Sequence, residues 1–413
     1  MSKSYKRIPG GINAARGFRA SSVSCGIKRS SPSKISKRND LCLVVSDCEA
    51  IGAGVFTTNL VKAAPVLLSR RHLEDGRVRA VLMNSGNANA CTGIPGLRAA
   101  EQTANAAAVA LGIPVDQVLL CSTGRIGVQL PLTKILPGIN SAASMLSSSK
   151  AASTEAARAI MTSDTVPKQS AYEVFTGRSS FRIGGMAKGA GMISPNMATM
   201  LCVITTDAAV PPSILRSMLR EASETTFNCI TVDGDCSTND TVLLLANGLS
   251  KTFVRSSTEK RAFLEALRMV CADLSRAIVA DGEGTSRVIQ LTVKGARSVA
   301  DARLVARAIA NSQLVKCAWA GGDPNWGRIL DAAGYAGASL DPDKVSISYD
   351  GIMAAENGMG CQDQKGDNRL RKIASNKEFS VCVDLHKGNG VARLLTTDLT
   401  EEYVRLNLTE FSI

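Results

Sequence analysis

The stretch Lys188-Gly-Ala-Gly-Met-Ile-Ser-Pro-Asn-Met-Ala-Thr-Met-Leu201 joins a lysine and two glycines to a turn and then to an apolar run. The glycines loosen the backbone, and the Ser-Pro-Asn triplet is typical of a turn. Residues 200–204 are apolar and rich in branched side chains, which predicts a buried strand. Thr199 therefore stands where a turn enters a strand, next in sequence to the carbonyl of Ala198.

A threonine in that position has a route to nucleophilic catalysis that needs no histidine. If its hydroxyl attacks the Ala198 carbonyl, the peptide bond becomes an ester, and hydrolysis leaves Thr199 as a new N-terminus. Its free α-amine, with a reference pKa of roughly 7.7–8.0, then serves as the base for the hydroxyl. The alternative to self-cleavage is a structural role, in which Thr199 is only the residue before a strand and the nearby methionines fill a core. Spacing alone leaves both interpretations open.

Composition excludes several classes of protein. A chain of 413 residues predicts two or three domains, and no apolar run approaches the ~18–20 residues of a membrane span. Aromatic residues make up 4%, which gives little support for stacking nucleic-acid bases. Twelve cysteines without a C-x-x-C pair predict reduced thiols in a cytoplasmic protein, and only two histidines argue against zinc.

Much of the net charge of +12 lies at the N-terminus. Residues 1–38 hold ten Lys and Arg and no acid, so the remainder carries 12 − 10 = +2. This pattern is open to three interpretations: an organellar transit peptide, a basic arm for nucleic acid, or a basic lip of a folded domain. The last is favoured, and the absence of an apolar h-region argues against secretion.

Hydrophobic periodicity and turn residues predict alternating strands and helices along the chain. The predicted strands lie at residues 41–47, 52–58, 64–71, 78–84, 117–124, 200–204, 287–295, 344–351 and 378–385. The predicted helices lie at about residues 97–111, 150–161, 212–225, 257–279 and 298–311. No dinucleotide fingerprint or Walker A motif stands between a strand and a helix.

Two loops invite a chemical interpretation. Thr123-Gly124 ends a strand and can present a hydroxyl and a backbone N–H to one point, as an oxyanion hole requires, although such a pair is also a common turn. The loop from residue 233 begins like a calcium site. Its sixth position is Thr238 and its twelfth is Leu244, where glycine and a bidentate acid are needed, so calcium is rejected.

Five motifs, in this order and spacing, resemble the ornithine acetyltransferase family, also called glutamate N-acetyltransferase. The resemblance runs from Gly10 to Ser412. The motifs are GVFTTN (54–59), NSGNANA (84–90), STGR (122–125), KGAGMISPNMATML (188–201) and DPNWGRI (323–329).

The resemblance implies roles for individual residues. The bond between Ala198 and Thr199 would break autocatalytically, Thr199 would carry the acyl group, and Thr123 with Gly124 would form the oxyanion hole. Residues implied to bind substrate are Thr162, Lys188, Thr199, Glu283, Asn407 and Ser412, with Thr165 the less favoured alternative to Thr162. Residue types alone leave other interpretations: hydroxyl clusters end helices, loop acids are solvated, and termini fray. Asn239 and Asp240 are candidates for shaping the centre.

The implied fold is α/β, an α+β layered sandwich of the self-processing aminopeptidase and ornithine acetyltransferase type. Residues 1–198 would form the alpha chain with the oxyanion hole. Residues 199–286 would complete the catalytic domain, and 287–413 would form a smaller C-terminal α+β domain.

The implied reaction is ping-pong transfer of acetyl from N2-acetyl-L-ornithine to L-glutamate in arginine biosynthesis, without a cofactor. Whether acetyl-CoA is a second donor stays open. The resemblance also implies a cytoplasmic heterotetramer of two alpha and two beta chains, with no nucleic-acid or membrane partner. The alternative is an aminopeptidase or amidase of the same superfamily, with water as acceptor.

Overall fold

The computed structural model describes residues 5–28, 38–177, 179–194, 200–361 and 363–409, without the side chains of Gln364 and Thr409. The described chain divides into two compact units, each built on its own sheet. Unit 1 draws on Met1–Ala190, Asn196–Asn228 and Asp235–Ile278, and unit 2 on Gly191–Pro195, Cys229–Gly234 and Val279–Ile413. The predicted boundary after residue 198 refers to cleavage and the one after residue 286 to the start of the C-terminal domain, and both stay predictions.

Unit 1 is built on a mixed sheet of nine described strands in the order β1-β6-β7-β8-β9-β3-β4-β5, with β2 paired to β3. The strands are β1 (Tyr5–Arg7), β2 (Phe18–Val23), β3 (Leu41–Phe56), β4 (Arg77–Asn87), β5 (Val118–Arg125), β6 (Lys168–Thr176), β7 (Ser179–Lys188), β8 (Leu201–Thr206) and β9 (Thr241–Ala246). The helices are α1 (Ala64–His72), α2 (Gly93–Leu111), α3 (Leu132–Ser144), α4 (Lys150–Ala159), α5 (Pro212–Thr225) and α6 (Ser257–Ala280).

The central strands of this sheet bury both faces, because alternate side chains enter two separate cores. On β3, Leu41 and Leu43 face a core completed by α2 and α3, whereas Cys42 and Val44 face one completed by α4. The same alternation continues along β4 and β5. Helices therefore cover a mixed sheet, which confirms the predicted α/β layered class.

One predicted strand in unit 1 is wrong. The apolar run at 64–71 forms helix α1, not a strand, and Pro65 stands in its first turn, where its missing N–H costs no hydrogen bond. Arg70 and Arg71 occupy the last turn, where cations favour the helix dipole. Proline would have disrupted a central strand, so this residue was the signal that the strand prediction overlooked.

A second difference concerns the two runs at 41–47 and 52–58. They form a single strand, β3, whose pairing with β4 shifts register between Val45 and Ala50. Residues 41–45 pair with β4, and residues 51–56 pair with β9. The apparent break in the sequence is therefore an irregularity within one strand and not a turn between two.

Unit 2 carries a sheet in the order β13-β12-β11-β14-β10-β15, in which β10 and β14 are parallel and the other pairs antiparallel. The strands are β10 (Val288–Ala296), β11 (Ser346–Tyr349), β12 (Ile352–Glu356), β13 (Met359–Gly360), β14 (Glu378–Asp384) and β15 (Gly390–Thr397). The helices are α7 (Val299–Asn311), α8 (Gln313–Ala320), α9 (Trp326–Gly334), α10 (Gln364–Ala374) and α11 (Glu401–Thr409).

The core of unit 2 lies between its sheet and the buried faces of α7, α8 and α9. Leu291 and Val293 of β10 pack in one cluster with Val305 and Ile309 of α7, and Trp319 of α8 meets Phe379 edge to face.

Across the part of the chain that the structure describes, no helix is long and apolar enough to cross a membrane.

Candidate active site

The processing motif connects two adjacent strands of unit 1. Lys188, the last residue of β7, pairs with Leu201, the first residue of β8, and Leu201 in turn pairs with Thr241 of β9. The segment 189–200 therefore leaves the sheet and returns to it at neighbouring positions. Within this segment, named here the processing segment, the bond predicted to be cleaved joins Ala198 and Thr199, which lie outside the described residues, as does Ser412.

Lys188 is the centre of a buried polar cluster at this end of the sheet. Its side chain is only 3% exposed, and its Nζ donates to Thr162 Oγ1 at 2.7 Å. Thr123 Oγ1 lies 3.5 Å from the same nitrogen. The structure thus brings together three of the predicted site residues from β5, β7 and the loop after α4.

Asp164, which was not assigned a role from sequence, balances the charge of that cluster. Its Oδ1 accepts from Lys168 Nζ and from the Gly189 N–H, both at 2.7 Å, and its Oδ2 lies 3.8 Å from Lys188 Nζ. Burial would raise the pKa of this carboxyl, but Lys188, Lys168 and the Gly189 N–H outweigh burial and lower the pKa to about 2. Asp164 is therefore ionised at neutral pH and tethers the first residue of the processing segment.

Gly124 is required where β5 passes β4. Its φ is +127°, and a Cβ at this position would lie 2.4 Å from the carbonyl carbon of Gly86. Only glycine fits such an approach, so the position of the Gly124 N–H beside Thr123 is set by close strand packing. The assignment of Thr123 and Gly124 to an oxyanion hole stays a prediction.

Asp240 holds the residue that follows Thr199. Its Oδ1 accepts from the Met200 N–H at 2.9 Å, and the Thr241 N–H donates back to the Met200 carbonyl at 3.1 Å. The residue is fully buried, and within the described chain no hydrogen-bond partner reaches its Oδ2. Burial raises the pKa of the Asp240 carboxyl well above its ordinary value, because the Met200 N–H and the charge of Lys188 offset desolvation only in part.

Asn239, the other candidate from that loop, links three parts of the site. Its Nδ2 donates to the Ala88 carbonyl at 2.7 Å and to the Ser122 carbonyl at 2.8 Å. Ser122 Oγ donates to Asn84 Oδ1 at 2.6 Å. The end of β4, the end of β5 and the entry to β9 are therefore joined by buried hydrogen bonds, which fix the backbone around Thr123.

The predicted residues Glu283 and Asn407 meet in unit 2. Asn407 Nδ2 donates to Glu283 Oε2 at 3.0 Å, and a Cβ on Gly191 would lie 2.4 Å from the Glu283 carboxyl carbon. The glycine thus lets the carboxylate lie directly against the backbone of the processing segment. Asp233 accepts from the N–H groups of Met192 and Ile193, and so fixes the next two residues.

Sequence reasoning missed two lysines near the cluster. Lys168 was not singled out, although its spacing of four residues from Asp164 is a signal for an ion pair, and both side chains are fully buried. Lys28 donates from Nζ to the carbonyls of Asn39 and Ala159, and burial lowers its pKa to about 8. In the described part of the chain, no group of three or more His, Cys, Asp or Glu side chains is arranged to hold a metal ion.

Comparison with known proteins assigns the chain to a family. The model of the ArgJ family matches residues 19–410, which is nearly the whole chain. The chain belongs to the ArgJ family. The arginine biosynthesis bifunctional protein ArgJ of Geobacter sulfurreducens is 47% identical over 397 residues, covering 95% of this chain and 98% of that protein.

Other relatives have the same name or a related one. The ArgJ protein of Symbiobacterium thermophilum is 46% identical over 402 residues, which cover 97% of this chain and 98% of that protein. A crystal structure of ornithine acetyltransferase complexed with ornithine, from Mycobacterium tuberculosis, is 39% identical and has a TM-score of 0.42. It covers 48% of this chain and 100% of that one. Membership of the ArgJ family confirms the resemblance drawn from the five motifs.

Proposed function

We propose that this chain is a self-cleaving acetyltransferase of arginine biosynthesis, which moves an acetyl group from N2-acetyl-L-ornithine to L-glutamate. Family membership over residues 19–410 supports the activity. The observation that supports the mechanism is the buried cluster in which Thr123 and Thr162 contact Lys188. Lys188 directly precedes the processing segment.

Cleavage comes first. The Thr199 hydroxyl attacks the Ala198 carbonyl carbon, and the C–N bond breaks to give an ester and a free Thr199 amine, which takes up the hydroxyl proton. Water then hydrolyses the ester to the Ala198 carboxylate and the free Thr199 hydroxyl. Asp164 fixes the Gly189 N–H and Asp240 fixes the Met200 N–H, so both ends of the segment that must strain are anchored.

Transfer then proceeds in two halves. Thr199 Oγ attacks the acetyl carbonyl of acetylornithine while its α-amine takes the hydroxyl proton, and that proton is returned to the departing ornithine amine. The α-amine of glutamate attacks the acetyl-threonyl ester, its proton passes through the Thr199 amine, and Thr199 Oγ leaves as the hydroxyl. Both halves form an oxyanion on the acetyl carbonyl oxygen.

Thr123 and Gly124 are proposed to stabilise that oxyanion. Thr123 Oγ1 faces the Lys188 ammonium, which has no lone pair, so the hydroxyl hydrogen is directed elsewhere and can be donated to substrate. Each such donor is typically worth about 2.7–4 kcal/mol of transition-state stabilisation. The ionised Asp164 keeps the buried Lys188 charge compensated while the oxyanion forms.

The remaining assignments complete the proposal. Thr162, Lys188, Glu283, Asn407 and Ser412 would hold the amino-acid substrates, since an ammonium–carboxylate pairing for Lys188 or Glu283 fits both of them. Acetyl-CoA would serve as a second donor for glutamate, in keeping with the word bifunctional in the names of relatives. We further propose a cytoplasmic assembly of two alpha and two beta chains that needs no cofactor.

One experiment tests the core of this proposal. On a denaturing gel the purified protein should run as fragments of 198 and 215 residues (413 − 198), and Thr199→Ala should stay uncut and inactive. The transfer assay follows acetylornithine with and without glutamate. Acetylglutamate formed only when glutamate is present supports transfer, whereas acetate released at the same rate without it would make the chain an amidase. An active preparation that shows one full-length band would overturn the mechanism.

A further inference from the structure

A cavity opens in unit 1. Its volume is about 580 Å³, which is within the range of roughly 300–1,000 Å³ typical of small-ligand sites. One wall is formed by residues 52–58, at the end of β3, and the others by residues of α1, α5 and the segment before α1. None of the residues proposed above to contact substrate lines it.

Four cationic side chains surround this cavity: Lys62, Arg70, Arg216 and Arg220. Arg216 and Arg220 lie one helical turn apart on α5 and so point to the same side. Arg70 comes from α1. Three separate parts of the fold therefore direct positive charge to one space, an arrangement that sequence spacing does not reveal.

These charges are not neutralised by the protein that the structure describes. No described residue lining the cavity is acidic, and no described carboxylate lies within ion-pair distance of the four cations. Lys62 Nζ donates to the Asn59 carbonyl, and Arg216 Nε makes a 3.4 Å contact with the Pro212 carbonyl. Most guanidinium N–H groups thus stay available for an anionic ligand, and their planar forks match phosphate oxygens.

The floor of the cavity is apolar. A Cβ on Gly54 would lie 2.7 Å from the Phe56 ring and 2.8 Å from Leu73, and a Cβ on Gly52 would lie 2.4 Å from Val78. The two glycines therefore let apolar side chains lie on the strand itself. A partly exposed ring and a leucine beside the cations suit a ligand with a flat organic body as well as phosphate groups.

Beyond Ile51, one edge of the strand at the floor has no partner strand among the described residues. Residues 52–56 of β3 pair with β9 on one side, while the pairing with β4 ends at Ile51. Gly52 donates to the Gly76 carbonyl, and beyond it the edge turns backbone N–H groups away from β9. Backbone donors and guanidinium groups together form a pocket for negatively charged oxygen atoms.

We propose that this basic cavity, defined by the four cations and residues 52–58, binds the diphosphate group of a nucleotide or of a nucleotide-containing coenzyme. Arg216 and Arg220 grip the phosphate oxygens, Arg70 and Lys62 complete the charge, and the Phe56 ring faces the base or sugar. A free nucleotide and coenzyme A share this chemistry. The coenzyme alternative rests on the proposed function, whereas the binding site itself does not.

A short hydrogen-bond path joins the cavity to the candidate active site. Thr57, in the cavity wall, donates from its N–H to the Asp240 carbonyl at 2.9 Å and from Oγ1 to the Ser237 carbonyl at 2.7 Å. Asp240 in turn holds Met200. A ligand that orders residues 52–58 therefore acts on the loop that positions the residue after the nucleophile.

Isothermal titration of the cleaved full-length protein, in buffer without phosphate or sulfate, tests this site. ADP, coenzyme A and adenosine are the probes. We expect one saturable site per chain for ADP or coenzyme A, and no measurable binding of adenosine, which lacks the phosphates. The double variant Arg216→Gln/Arg220→Gln should bind about tenfold more weakly or worse, because it loses two charge-assisted contacts.

The double variant Lys365→Gln/Arg369→Gln is the matched control. It removes two exposed cations, one turn apart on α10, and should change affinity by less than about twofold, since neither side chain lines the cavity. Coenzyme A bound at least about tenfold more tightly than ADP identifies the coenzyme as ligand, and equal affinity identifies a general nucleotide site. No saturation by either probe at millimolar concentration, equal binding of adenosine, or an equal loss in the control would each overturn the proposal.

Transfer from acetylornithine to glutamate separates the two proposals. It involves no nucleotide, so Arg216→Gln/Arg220→Gln should retain it, while acetylation from acetyl-CoA falls if the coenzyme is the ligand. A wild-type protein that binds ADP but fails to transfer would sink the proposed function and leave the binding site standing. An unchanged melting temperature confirms that the variants are folded.

Discussion

At the scale of single residues, charge compensation in the buried core decides what the site can tolerate. Asp164 faces Lys168 and Lys188, and all three side chains are almost inaccessible to water. Asp164→Asn should cost about 3–5 kcal/mol of unfolding free energy at pH 7, because it leaves two buried ammonium groups without a counter-charge. Urea unfolding measures this. Asp47→Asn, which removes an exposed pair with Arg19, is the control and should cost under about 1 kcal/mol.

The pH dependence of that cost has a definite sign. The pKa of Asp164 is about 2 in the folded protein, below its reference of 3.8, so the folded state favours the ionised form. Its stabilising contribution is therefore complete above the reference pKa and is lost as pH falls from about 4 towards 2. The difference in unfolding free energy between wild type and Asp164→Asn should shrink over that range. A difference that stays constant down to pH 2.5 would contradict the assigned ionisation.

Asp240 is expected to act through Met200 as a positioning residue. Asp240→Ala removes the acceptor for the Met200 N–H and should slow cleavage at least about tenfold, since the segment loses an anchor. Asp240→Asn keeps an acceptor oxygen and should restore much of the rate. The fraction of cut protein, followed over time on denaturing gels, measures both. Cleavage of Asp240→Ala at the wild-type rate would refute the role, and Asp235→Asn in the same loop is the control.

At the scale of elements, the end of β5 and the turn after it offer a matched pair of glycines. Gly124 and Gly127 both have positive φ, but a Cβ at 124 would strike the Gly86 backbone, whereas nothing lies within 4 Å of a Cβ at 127. Gly127→Ala should therefore cost only about 1 kcal/mol of backbone strain. Gly124→Ala should cost at least about 2–3 kcal/mol more and abolish transfer. Urea unfolding measures the stability of both variants, and an acetylornithine assay measures transfer. Equal effects of Gly124→Ala and Gly127→Ala would contradict the close packing of Gly124 on Gly86.

The sequence predicted elements better than it predicted their contacts. Helix α2 ends at Leu111 as expected, with Gly112 in the left-handed conformation, because a glycine followed by proline is a local signal. The helix at 64–71 was missed because an apolar run of that length fits either structure, and only Pro65 distinguishes them. A local sequence pattern predicts local structure, so a prediction is wrong where the same pattern is compatible with both a helix and a strand.

Contacts within the site could not be read from spacing. Lys188 meets Thr123 across 65 residues and Thr162 across 26, and only the folded sheet brings these strand ends together. The resemblance named the three residues without their geometry, and it left out Asp164 and Lys168. A counter-charge to a buried lysine is invisible until its burial is known, because the same acid on a surface would simply be solvated.

At the scale of the whole molecule, the proposed cut would leave a sheet shared by two chains. Strands β1 to β7 precede the bond between Ala198 and Thr199, and β8 and β9 follow it. We expect the cut protein to elute as one species in native gel filtration and to separate only in denaturant, because both fragments contribute to one ladder. Elution of separate 198- and 215-residue species from native buffer would contradict this, and uncut Thr199→Ala supplies the reference volume.

The order of strands in unit 1 has a further consequence. Strands β8 and β9 lie between β7 and β3 in the sheet. The C-terminal fragment, which contains β8 and β9, is therefore hydrogen-bonded on both sides to strands of the N-terminal fragment. Once the bond is broken, the sheet can be reassembled only by two chains that find each other. Regaining the native state after denaturation then becomes a second-order process that slows on dilution, whereas the uncut Thr199→Ala chain recovers at a rate independent of its concentration. Maturation would thus be a one-way step for this protein: a molecule assembled as a single chain, and poorly able to be assembled again as two.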